Sequence, residues 1–142
     1  MGKGKTVSLN ELWERRQSCK FNGASYISQR GAEAIYTPEG KQQTKEMIDH
    51  YLETAALIRS SFKKSGLVTC GGDNAPYIWA RIPGGIQSWD FFDLLLSRSG
   101  VIITPGVGFG PAGEGWFRAS AFGDRDRTAV ALERVSRVLN SI

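Results

Sequence analysis

The run Thr104-Pro105-Gly106-Val107-Gly108-Phe109-Gly110-Pro111-Ala112-Gly113-Glu114-Gly115-Trp116-Phe117-Arg118-Ala119-Ser120-Ala121-Phe122 has two halves of opposite character. From Pro105 to Gly115 it is rich in glycine and proline, which interrupt helices and strands and favour tight turns. From Trp116 to Phe122 it is apolar and aromatic, which predicts a strand. One charge, Arg118, interrupts that strand. Burying a lone cation is prohibitive, so Arg118 must reach solvent, pair with an acid or receive an anion. Its planar fork fits a carboxylate bidentately. A structural ion pair or an exposed edge position is the commoner use of such a residue, and the residues alone leave these readings open.

Working outward, Val101 to Thr104 is β-branched and predicts another strand after Gly100. Before it, Ser88 to about Arg98 reads as a helix capped by Ser88, with Trp89, Phe92, Leu95 and Leu96 inward. Tyr77 to Ile82 and Leu67 to Cys70 are two further strand candidates. The clearest helix runs from Pro38 to Ser65, where Met47, Tyr51, Ala55, Ile58 and Phe62 form one stripe at a period of about 3.6 residues. Lys63-Lys64 and Gly66 close it. A last helix spans Arg125 to about Asn140, with Val130, Ala131, Val135 and Val138 inward. Residues 9 to 19 read as a helix capped by Asn10, and Ala24 to Tyr36 as another that stops before Thr37-Pro38. The fold class is α+β, helices packed on a small sheet of three or four strands; the pattern does not give strand order.

A chain of 142 residues is long enough for one substantial core. With 41% hydrophobic and 23% charged residues it reads as globular rather than disordered. No apolar run approaches the ~20 residues of a bilayer helix. Met1-Gly2-Lys3-Gly4-Lys5 opens without the apolar segment of a secretory signal, so neither a membrane nor export is expected. Cys19 and Cys70 are far apart in sequence and predict no disulfide framework. That suits the cytoplasm, or an organelle if the parent protein comes from a plant or alga. The net charge of +4 raises nucleic-acid binding. The basic residues are interleaved with Glu11, Glu14, Asp124, Asp126 and Glu133 rather than gathered into a stripe, so no nucleic-acid partner is expected. A non-catalytic basic α+β binding module is the competing class of function.

Several motifs are set aside. Gly4-Lys5-Thr6 imitates the end of a P-loop, but that motif needs a further upstream glycine and a preceding strand. Gly108, Gly110 and Gly113 spell the dinucleotide pattern, yet a strand follows them instead of a helix that could receive pyrophosphate. Glycines supplying positive φ in a tight or mobile loop account for that run. His50 stands alone, and neither Cys19 nor Cys70 has a partner at ligand spacing, so no metal is expected. Asn22, in the helix-interrupting Phe21-Asn22-Gly23, reads either as a turn residue or as a donor and acceptor for a ligand.

Phe21-Asn22-Gly23-Ala24-Ser25, Gly71-Gly72-Asp73-Asn74-Ala75-Pro76-Tyr77-Ile78-Trp79 and Ser88-Trp89-Asp90-Phe91-Phe92 occur in order before the glycine-rich run. Together with that run, through Gly123, they resemble the LL-diaminopimelate aminotransferases, class I/II pyridoxal-phosphate enzymes of fold type I. The likeness covers almost the whole chain. It implies that residues 37–142 are the small C-terminal domain of such an enzyme and that residues 1–36 are a helical segment leading from a large cofactor domain, within a homodimer. By resemblance, Arg118 grips the substrate α-carboxylate, and Asn22 reaches the cofactor and substrate in the neighbouring subunit's site. The implied reaction moves an amino group between LL-diaminopimelate and 2-oxoglutarate, with glutamate as the partner product, in lysine biosynthesis. The cofactor is pyridoxal 5'-phosphate. An aminotransferase of other specificity is the nearest alternative, because the small domain does not fix the pocket for the substrate's far end.

This sequence departs from the family at one decisive place. The family's Schiff-base lysine lies in a Ser-x-Ser-Lys context upstream of the Asn-Gly-Ala-Ser segment, and nothing here matches it. Lys3, Lys5 and Lys20 have other surroundings. The aspartate that pairs the pyridine nitrogen and the phosphate-binding residues are unmatched too. The resemblance therefore implies the C-terminal part of a longer enzyme, with no catalytic residue, no bound cofactor and no transaminase activity of its own.

Overall fold

The computed structural model describes residues 8–21 and 23–142. Lys3, the Gly4-Lys5-Thr6 run and Asn22 lie outside the described residues. The chain divides into two compact units, one ending at Thr44 and one spanning Lys45–Ile142, and the division falls inside helix α3 (Pro38–Lys64).

In the first unit, α1 (Leu9–Lys20) begins at Ser8, whose hydroxyl accepts the backbone N–H of Glu11 at 3.5 Å. Ser8, not Asn10, is therefore the cap. A cap needs an extended backbone, which Ser8 has, while Asn10 already lies within the helix. The second helix, α2 (Tyr26–Ala34), is capped by Ser25, which accepts from the N–H of Ser28 at 3.3 Å. Neither helix buries a residue. Thr37 links α2 to α3: its hydroxyl donates to the Ala34 carbonyl at 2.7 Å and accepts from the N–H of Gly40 at 3.0 Å.

The second unit is built on a four-stranded antiparallel sheet, β1 (Thr69–Gly71), β2 (Tyr77–Arg81), β3 (Thr104–Pro105) and β4 (Trp116–Ser120), in the order β1-β2-β4-β3. Ile78, Ala80 and Phe117 point to one face, where they meet Ala55, Ile58 and Phe62 of α3. The same face receives Phe91 and Leu95 of α4 (Ser88–Ser99) and Leu132, Val135, Val138 and Leu139 of α5 (Arg125–Leu139). Phe117 lies at the centre, its ring 5.3 Å from Phe62 and 5.2 Å from Phe91. Burying such a side chain contributes about 2–3 kcal/mol.

The inward faces of two helices differ from those predicted. On α4 the buried positions are Ser88, Phe91, Leu95 and Ser99, while Trp89 and Leu96 are exposed. On α5 the buried side is Leu132, Val135, Val138 and Leu139, and Val130 is half exposed. Strand β1 starts later than Leu67, because Leu67 caps α3: its N–H bonds to the Phe62 carbonyl at 3.0 Å after Gly66 turns with φ +80°. The ladder of β3 is shorter than Val101–Thr104. Pairing with β4 holds only at Thr104–Arg118 and Pro105–Phe117, and beyond it a cavity of about 330 Å³ opens beside Ile102 and Ser120, floored by Ile58, Phe62, Leu132 and Val135.

Candidate functional site

Strand alternation gives the sheet a second face, opposite the one that packs against the core of α3, α4 and α5. Tyr77, Trp79 and Arg81 of β2 and Trp116, Arg118 and Ser120 of β4 point away from the core residues beside them. Register aligns Cys70, Trp79, Arg118 and Thr104 in one row across all four strands. The guanidinium carbon of Arg118 stands over two ring faces, 4.4 Å from the centroid of Tyr77 and 4.4 Å from that of Phe109. Tyr77 reaches it diagonally across the β2–β4 ladder. Phe109 comes from the glycine-rich loop. The rings are themselves supported edge-on, Phe109 by Trp79 at 5.2 Å and Tyr77 by Phe122 at 5.5 Å.

Among the described residues, the ion pairs are Arg30–Glu33, Lys45–Asp49, Arg59–Asp73 and Arg125–Glu53, and Arg118 belongs to none of them. Its Nε is buried and makes no hydrogen bond. The structural ion-pair reading of Arg118 is thus not met. What remains is a half-buried cation between aromatic rings, with terminal N–H groups suited to an anion. Arg118 also lines the 330 Å³ cavity, with Thr104 and Ser120 beside it, whereas Tyr77 and Phe109 do not.

The loop that delivers Phe109 is two short 3-10 turns, Gly106–Phe109 and Pro111–Gly113. Positive φ explains Gly110 and Gly115 but not Gly106 or Gly113. Those two are required by close approach: a Cβ on Gly106 would sit 2.2 Å from the Gly113 carbonyl oxygen, and one on Gly113 would sit 2.0 Å from that of Gly106. The far end of the loop is fastened to α4. Glu114 Oε1 accepts the N–H of Ser88 at 2.7 Å, and the Ser88 hydroxyl accepts the N–H of Gly115 at 3.1 Å while donating to the Trp116 carbonyl at 3.2 Å. The N–H of Ser88, at the positive end of α4, holds the Glu114 carboxyl below its ordinary pKa. Ser88 is accordingly not the cap. Gln87 takes that position without a side-chain bond, and Glu114 satisfies the helix end from the loop.

The other sequence candidates contribute less. Asn22 has no described position. His50 is exposed, and its one ring contact is Tyr51, at 6.0 Å. Cys19 and Cys70 are free and exposed. Among the described residues no group of three His, Cys, Asp or Glu could hold a metal, and no helix is long and apolar enough to cross a membrane. Pyridoxal phosphate needs a lysine for imine formation, and no strand of the sheet carries one. Within the Lys45–Ile142 unit, Lys45 pairs with Asp49, and Lys63 and Lys64 lie in the last turn of α3. The residues around Arg118 suit the carboxylate end of a ligand and do not by themselves fit that cofactor.

Comparison with known proteins places the chain in a family. The family model for aminotransferase class I and II matches residues 14–135. The LL-diaminopimelate aminotransferases of Parabacteroides distasonis and Phocaeicola vulgatus are 52% and 50% identical to this chain over 136 residues, which is 96% of it and 33% of each relative. The solved L,L-diaminopimelate aminotransferase from Chlamydomonas reinhardtii matches with a TM-score of 0.86 and 43% identity, over 91% of this chain and 32% of that one. The chain thus spans about a third of the length of these relatives. A match that runs from within α1 to within α5 and takes in every strand makes the chain a member of the class I and II aminotransferases.

Proposed function

We propose that this chain is the carboxylate-gripping part of an LL-diaminopimelate aminotransferase, which exchanges an amino group between LL-diaminopimelate and 2-oxoglutarate in lysine biosynthesis. The observation that carries the reading is Arg118: a cation without an acidic partner among the described residues, set between two ring faces on the side of the sheet away from the core. Half-identity to enzymes of that name supports LL-diaminopimelate as the amino donor.

Both substrates carry a carboxylate next to the reacting carbon. A bidentate grip on it fixes that carbon, which is catalysis by positioning. Because Nε is buried, the terminal pair of guanidinium nitrogens meets the carboxylate end-on. The flanking rings cover the faces of the guanidinium, and that partial shielding strengthens the pair. Pyridoxal phosphate, when bound, supplies the electron sink for loss of the substrate's α-proton. Asn22 adds polar contacts to cofactor and substrate in the neighbouring subunit of a homodimer. Residues 37–142 act as the small domain, residues 1–36 connect it to the cofactor domain, and the enzyme works in the cytoplasm. The chain by itself neither binds the cofactor nor transaminates.

The test replaces the matching third of the Parabacteroides distasonis enzyme with this chain and measures glutamate formation from 2-oxoglutarate and a panel of amino donors. The proposal predicts activity with LL-diaminopimelate above all other donors, and none for the chain alone. A chimera that folds and prefers another donor overturns the substrate assignment.

A further inference from the structure

We infer that Phe109 is a positioning residue for Arg118, and that the closed glycine-rich loop serves to hold its ring in place; the inference rests on the carboxylate reading above. Phe109 is 52% exposed, so burial in the core does not account for it. Its ring contacts are Trp79, edge-on at 5.2 Å, and the Arg118 guanidinium at 4.4 Å. An arginine side chain has many rotamers, and no acid fixes this one among the described residues. Two ring faces supply the missing restraint, Tyr77 from the neighbouring strand and Phe109 from the loop.

The ring position depends on the loop's own closure. Gly106 and Gly113 pass so closely that neither tolerates a Cβ, and Glu114 and Ser88 tie the loop's far end to α4. A preorganised cation binds its anion without first losing rotamer freedom. A face covered by a ring at 4.4 Å leaves no room for a carboxylate, so the ligand is directed to the N–H edge.

The experiment uses the 142-residue chain, labelled with nitrogen-15, and glutarate as the probe. The Arg118 side-chain N–H signal is expected to be displaced by the nearby rings and to respond to glutarate. In Phe109→Leu it should move toward the ordinary arginine position, and glutarate affinity should fall about fivefold. Phe109→Tyr should keep both, and unchanged backbone signals from β4 and α4 show that the variants fold. If Phe109→Leu changes neither signal nor affinity while Arg118→Lys removes the glutarate response, Phe109 has no positioning role and the carboxylate reading stands. If the wild-type chain does not respond, or Arg118→Lys binds glutarate equally well, the carboxylate reading falls and the inference with it.

Discussion

Phe117 and Arg118 are neighbours in sequence and face opposite sides of the sheet, one fully buried and the other beneath two rings. Removing the Phe117 ring leaves a hole between Phe62 and Phe91, so Phe117→Ala should cost about 3–5 kcal/mol in urea unfolding; a loss below about 1 kcal/mol would contradict its central place. Ser88 is also fully buried. Ser88→Ala leaves the Gly115 N–H and the Trp116 carbonyl without that hydroxyl and should cost about 1–3 kcal/mol. Arg118 was legible in the sequence because a charge in an apolar strand demands an explanation. Its restraints were not: Tyr77 and Phe109 come from another strand and a loop, and only the fold brings them together. Glu114 was missed for the same reason, since it caps a helix that begins 26 residues earlier.

Glu114 also gives the site a pH dependence with a definite sign. Folding lowers its pKa, chiefly through the N–H of Ser88, so its contribution is complete above the ordinary value of 4.5 and is lost as pH falls through the depressed folded value. Glu114→Ala should therefore melt at a lower temperature than the parent at neutral pH, with the gap closing toward strongly acid conditions. A gap that stays constant with pH contradicts this account of the carboxylate.

At the scale of elements, the helices and strands were readable from periodicity and turn residues, and the errors came from long-range contacts. The α4 stripe was placed about one residue off because Trp89 and Leu96 are apolar enough to suggest a buried face. The hydroxyl of Ser88 bonds beneath β4, and this turns Phe91 inward instead. Val101 to Thr104 has the composition of a strand, but Ile103 is drawn into the core and the ladder closes only at its end. The loop glycines were recognised while their reason was only half right, since carbonyl contact between two turns leaves no local trace. Gly113→Ala should destabilise by about 1–3 kcal/mol and speed amide exchange at Gly110 and Gly113; unchanged exchange there would mean the turns are not locked.

At the scale of the whole molecule, the α+β class followed from the sequence, while the order β1-β2-β4-β3 needed the observed pairing. The two units differ in how they are held. The Lys45–Ile142 unit has the core, whereas α1 and α2 bury no residue, and helices of 12 and 9 residues are marginal on local bonds alone. Hydrogen exchange should find α1 and α2 unprotected and β2, β4 and the second half of α3 slow; equal protection throughout would contradict that division. The proposed function stands or falls with Arg118 holding the substrate carboxylate. Its most direct test is the kinetics of glutamate formation by the chimeric enzyme with Arg118 and with Arg118→Lys. Loss of the bidentate grip should raise KM for LL-diaminopimelate and 2-oxoglutarate together and lower kcat/KM about a hundredfold. Unchanged KM for both substrates in a folded variant would contradict it.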